Sequence, residues 1–163
     1  MSGNTAASRP PLAGVRIVDL SRLLPGPMCT LYFAQLGADV IKVEDTGAGD
    51  YARNLSTREP APFFTLVNRG KRSIAVDLKT ARGREVFEAL VRTADVLVES
   101  FRPGVMRALN LDAPRLSTIN PRLVYASISG YGQDGPRATT PGHDINYLGY
   151  AGVLDQIAHD RIV

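Results

Sequence analysis

The sequence predicts an α/β domain, a mainly parallel sheet with helices on both faces. Three observations point there. Short apolar runs rich in β-branched residues recur along the chain, each bounded by turn residues, as buried strands do. Helix-like segments separate them, and strands separated by helices imply parallel pairing with both faces covered. The composition, 44% hydrophobic and 21% charged over 163 residues, fits one domain large enough to bury a real core.

VRIVDL (15–20) is the first such run, and the Pro-Gly-Pro at 25–27 closes the loop after it. MCTLYFAQLG (28–37) then reads as a helix ending at Gly37, and ADVIKVE (38–44) follows at once as a second strand. These segments make a compact β-α-β unit whose crossover favours parallel strands. Residues 45–62 are rich in Gly, Thr, Asp and Pro and read as a long loop of the functional kind. RSIAVDL (72–78), a helix over TARGREVFEALVRTA, ADVLVES (94–100), a short helix over LDAPRLSTI and RLVYASIS (122–129) repeat the pattern. Strands are therefore expected near 15–20, 39–44, 73–76, 95–99 and 122–128. A last helix, INYLGYAGVLDQIA, is expected with Asp144 as its cap. Residues 1–10 read as a flexible tail and 11–163 as the domain.

Several function classes are excluded by the bulk features. Nineteen basic residues stand against 16 acidic ones, a net charge of +3, and they are scattered instead of forming a nucleic-acid stripe. Small anionic ligands are favoured over DNA. The single cysteine, Cys29, forms no internal disulfide and no thiol cluster for zinc, so no metal site and a cytoplasmic setting are expected. No stretch approaches the roughly 18 apolar residues of a membrane span. The first β-α turn, SRLLPGPM, has one glycine between two prolines and lacks the G-x-G-x-x-G spacing of nicotinamide-binding domains.

One of only two histidines, His143, sits between a Pro-Gly pair and the last helix. From the residues alone it is either a base or a plain helix-start residue. The motifs PLAGVRIVDLS, LLPGPM, LGADVIKVE, GAGDYAR, NRGKRSIAVDLK, ADVLVESFRPGVM, YASISGYGQDGP and GHDINY together resemble the family III CoA-transferases, which include the α-methylacyl-CoA racemases. The resemblance runs from Pro11 to about Ile157 and implies the N-terminal, Rossmann-like half of a subunit that interlocks with a partner. A homodimer, or a missing C-terminal half, is thus expected. It further implies acyl-CoA as substrate, with no tightly bound cofactor.

In the racemase branch the histidine of GHDINY is one of two proton-transfer bases, so the resemblance makes His143 catalytic. The second base, and the transferase nucleophile, is an aspartate in a Gly-Asp segment after this helix; Val163 precedes any such segment, and Asp155 and Asp160 lie in another context. Histidine suits α-proton abstraction because its ordinary pKa of about 6.5 leaves it largely neutral at pH 7. The loop SGYGQDGPRATTPG, four glycines in fourteen residues, leaves backbone N–H groups for an enolate oxygen.

CoA phosphates call for arginine and lysine. Arg102, just beyond the strand ADVLVES, is the first candidate, because ligands of open parallel sheets gather at the carboxyl ends of strands; the R-P-G arginine contacts CoA phosphates in the family. Lys71, Arg72 and Lys79 are further candidates, and Tyr131 and Gln133 in the glycine loop either meet the acyl chain or pantetheine arm or serve loop packing alone. Many relatives carry a basic residue after the second strand where this chain has acidic Glu44 and Asp45. Three functions stay open: racemisation, CoA transfer between carboxylic acids, and a non-catalytic CoA-binding or association remnant.

Overall fold

The computed structural model describes residues 9–57 and 61–157. Five strands, β1 (Arg16–Asp19), β2 (Asp39–Glu44), β3 (Arg72–Ala75), β4 (Val96–Glu99) and β5 (Val124–Ser127), form one sheet in the order β3-β2-β1-β4-β5. Every pairing is parallel, with Val18 beside Ile41 and Leu97, and Leu97 beside Tyr125. Four fall inside the expected windows and β3 begins one residue before its own, and the α/β class is as predicted.

Successive side chains of a strand point to opposite faces, and the core divides accordingly. Val18, Val43 and Leu97 face a cluster completed by Phe87 and Val91 of helix α3 (Ala81–Arg92) and Leu116 of α5 (Ala113–Ile119). Ile17, Val40 and Val98 face Phe33 and Ala34 of α1 (Pro25–Gln35). A fully buried side chain such as Phe87 contributes about 1.5–3 kcal/mol, so two such faces hold the sheet in the middle of the domain.

Several local expectations are corrected. Pro25-Gly26-Pro27 opens α1 instead of closing the preceding loop, because a proline in the first turn needs no hydrogen-bond partner for its missing N–H. A Cβ at Gly26 would strike the Ser21 side chain, so this close approach requires glycine. The long loop contains a 3-10 turn, Tyr51–Asn54, and its end gives way to α2 (Pro62–Asn68). A one-turn helix, α4 (Val105–Ala108), was too short to show a period. The last helix is two pieces, α6 (Asp144–Tyr150) and α7 (Val153–Ile157), divided at Gly152, whose φ of 74° no helix continues through. Asp144 is the first residue of α6 and not its cap; His143 holds that position, and its N–H donates to Asn146 Oδ1 at 2.9 Å. Residues 1–8 of the expected tail and Asp160 lie outside the described residues.

Candidate functional site

The chain leaves β1 for β2 and β3 on one side, then crosses to β4 and β5 on the other. At such a reversal the loops beyond the carboxyl ends diverge and leave a crevice. A cleft of 490 Å³ lies there, lined by Leu20 after β1, Glu44 and Asp45 at the end of β2, Leu78 and Lys79 after β3, and Phe101 after β4.

Arg22 crosses this cleft. Its guanidinium carbon lies 5.1 Å from the ring centres of both Tyr51 and Phe101, and its N–H groups reach Tyr51 Oη at 3.1 Å and Asp45 Oδ2 at 3.3 Å. The two acidic residues after β2 are therefore answered by arginines. Asp45 meets Arg22, while Glu44 accepts a forked pair from Arg53 at 2.7 and 2.8 Å, a Ser73 hydroxyl at 2.6 Å and the Asp50 amide at 3.0 Å. Burial works to raise the Glu44 pKa, but these hydrogen bonds outweigh it and hold the carboxyl at about 2.

Beneath the cleft is a charge-balanced group of four buried side chains. Lys71 Nζ donates to Asp19 Oδ2 at 3.1 Å, Pro27 O at 2.8 Å and Asn68 Oδ1 at 2.9 Å. Lys42 Nζ lies 2.8 Å from Asp50 Oδ2, both side chains 1% exposed. Asp19 also accepts from the Ser21 amide and hydroxyl and from Thr30 Oγ1 at 2.5 Å. Burial draws the Lys71 ammonium below its ordinary pKa, against the opposing pull of Asp19. Cys29 sits beside this group, and burial together with the Asp19 charge pushes its thiol up, which suits a packing residue and not a nucleophile.

A second cleft, 470 Å³, lies between the ends of β4 and β5 and includes Arg102, Tyr125, Ser127 and Gln133. Burial, then the charges of Glu99 and Asp112, keep the Tyr125 phenol protonated well above its usual range. The loop beyond β5 returns to α6 through aromatic packing. Tyr131 meets Tyr147 edge-on at 5.3 Å and Tyr150 at 5.6 Å, and Tyr147 Oη donates to Gly142 O at 2.6 Å. A Cβ at Gly130 would lie 2.5 Å from Tyr147 Oη and one at Gly142 2.9 Å from Tyr131 Oη. These two glycines make room for rings; Gly132 and Gly135, at φ of 91° and 87°, make the turns expected of the loop.

The sequence candidates thus separate. Lys79 lines the first cleft, Arg102 and Gln133 the second, and Tyr131 the aromatic wall that holds exposed His143 near the exit of β5. Lys71 and Arg72 are placed elsewhere. Lys71 is buried in its ion pair with Asp19, and Arg72 forks onto Asp39 at the amino end of β2, away from the clefts. Arg22, Tyr51, Phe101 and the Lys42–Asp50 pair escaped the sequence reading. Lys42 had a signal, since a charge inside the apolar run ADVIKVE must find a buried partner. Among the described residues no group of three His, Cys, Asp or Glu is arranged to hold a metal ion, and no helix is long and apolar enough to cross a membrane.

A five-stranded parallel sheet with clefts beyond the carboxyl ends of its strands defines an α/β domain of doubly wound type. The sequence matches the CoA-transferase family III model over residues 12–161, and the chain belongs to that family. It is 43% identical to an acyl-CoA transferase of Fusarium pseudograminearum, over 93% of this chain and 36% of that protein. It is 44% identical to the α-methylacyl-CoA racemase of Mus musculus, over 90% of this chain and 35% of the relative. A succinate–glutarate CoA-transferase of Agrobacterium fabrum is 42% identical, over 90% and 39%. The structure resembles a CAIB/BAIF family protein from Brucella suis, TM-score 0.88 at 41% identity, over 94% of this chain and 43% of that one. The chain spans well under half the length of these relatives.

Proposed function

We propose that this chain is the CoA-binding part of an acyl-CoA-processing enzyme of α-methylacyl-CoA racemase type, with His143 as one proton-transfer base. One observation supports this above others: Lys79, Arg22, Arg102 and Gln133 lie in turn along a single sheet edge. Lys79 and Arg22 line the cleft over β3, β2 and β1, Arg102 and Gln133 the cleft over β4 and β5, and the loop after β5 leads to His143 through the contact of Tyr131 with Tyr147. CoA is an extended ligand. Its nucleotide suits the first cleft, where aromatic rings flank a guanidinium, and its thioester end then lies toward His143.

In this reading the neutral imidazole of His143 takes the α-proton of a 2-methylacyl-CoA and becomes imidazolium, while the electron pair passes into the thioester carbonyl as an enolate. Return of a proton to the opposite face completes inversion. Inversion therefore needs a second donor on that face, and His143 by itself exchanges the proton without inverting the centre.

CoA transfer is the second reading, favoured by the nearly equal identity to proteins named as transferases and as a racemase. A non-catalytic CoA-binding or association remnant is the third. Incubating one enantiomer of a 2-methylacyl-CoA in deuterated water separates them. Deuterium uptake with retention, lost in His143→Ala, is the expected result; CoA exchange with a free acid supports transfer, and binding without either reaction supports the remnant. Arg102→Ala should weaken CoA binding about tenfold, the loss of one charge-assisted phosphate contact; unchanged affinity would remove Arg102 from the site.

A further inference from the structure

We propose that the buried Lys42–Asp50 ion pair positions Arg22 for recognition of a phosphate in the first cleft. The inference rests on the reading of that cleft as the nucleotide end of a CoA site. The residues on either side of Arg22 are both held by this pair. Lys42 Nζ donates to Ser21 O at 2.8 Å, and the Leu23 amide donates to Asp50 Oδ1 at 3.0 Å. Between them the Arg22 amide donates to Ser100 Oγ at 3.0 Å.

The conformation so held is not one the residue would choose. Leu23 has a φ of 63°, left-handed backbone that a leucine adopts only where its surroundings impose it. Asp50 imposes it, and the same Oδ1 accepts the Ala52 amide at 2.9 Å, capping the turn that carries Tyr51. One carboxylate therefore sets both the backbone beside Arg22 and the ring against which its guanidinium lies.

A buried ion pair is a poor device for stability, because desolvation of both charges offsets most of their attraction. What it supplies is fixed geometry. Two of the five Arg22 N–H donors are used on Tyr51 and Asp45, which leaves others for an anion entering the cleft. A planar base alongside Phe101 and a phosphate on Arg22 is the ligand chemistry that this arrangement fits.

The test uses the full-length protein and adenosine 3′,5′-bisphosphate as the probe, measured by calorimetry. Arg22→Ala should weaken binding by about tenfold or more. The apolar pair replacement Lys42→Met/Asp50→Leu should weaken it by a similar factor, and the triple variant should lose no more than either. Full additivity, or a pair variant that binds like the parent, overturns the positioning role. Absence of binding by the parent protein overturns instead the nucleotide reading of the cleft, and with it any part of the pair in recognition.

Amide hydrogen exchange of the unaltered protein tests the clamp without relying on a variant to fold. The Leu23 amide should be protected despite lying in a loop, and should open together with that of Ala52, since one carboxylate holds both. Exchange of Leu23 at the rate of a free loop amide would overturn the proposal.

Discussion

Replacing Lys71 with methionine removes the cation of a pair whose side chains are 1% and 0% exposed and leaves the Asp19 carboxylate in the interior. Breaking such a pair from one side costs about 3–5 kcal/mol. Asp19 keeps its donors from Ser21 and Thr30, so the lower end, about 3 kcal/mol, is expected. The next residue is the control. Arg72 also binds an aspartate, but its side chain is 63% exposed and that of Asp39 35%, and an exposed pair is worth at most about 1 kcal/mol. Urea unfolding at pH 7, followed by far-ultraviolet circular dichroism, converts these figures into midpoints. At a slope of about 2 kcal/mol per molar, Lys71→Met should lower the midpoint by roughly 1.5 M and Arg72→Met by no more than roughly 0.5 M. Equal shifts, or a larger one for Arg72, would refute the assignment of neighbouring basic residues to interior and surface.

Glu44→Gln should change how stability depends on acid. The folded pKa, about 2, lies below the ordinary 4.5, so the carboxylate adds stability above pH 4.5 that is lost as pH falls toward 2; at about 1.4 kcal/mol per unit this is roughly 3 kcal/mol. The gap between parent and variant should close across that window, and a gap constant from pH 6 to 2 would contradict the role of Arg53 and Ser73. In the racemase reading Gly130→Ala should displace Tyr147 and lower α-proton exchange by moving His143 while the sheet melts almost as before, whereas unchanged exchange would show that the aromatic wall does not hold this residue in place.

The strands were legible because each is a short β-branched run that needs both faces covered, and the helices of one repeating unit separate them. The boundary errors have physical reasons. Pro25 reads as a loop residue until its place in a first helical turn is seen, and four-residue α4 has no period to detect. The cleft positions of Arg102 and Lys79 follow from their place after strands, which parallel topology carries to one edge. Lys71 and Arg72 shared a short motif but follow different paths, and no local pattern distinguishes a buried lysine from an exposed arginine. Arg22 depends on Tyr51 and Phe101, rings brought together only by the sheet order. Lys42 escaped notice although a charge inside an apolar run is a signal in itself, and nothing local pointed to Asp50 as its partner.

Helices α6 and α7 contain no buried residue; three tyrosines, a carbonyl and the Arg137 guanidinium, 4.0 Å from the Tyr150 ring, join α6 to the rest. Opening this attachment exposes little apolar surface, so it draws on a much smaller free energy than unfolding the sheet. His143 accordingly rides on an appendage whose angle can be reset while every core contact stays in place. Stability of the domain and aim of the His143 imidazole are independent variables in this architecture, and substitutions in the tyrosine wall can retune the second while leaving the melting behaviour of the first almost untouched.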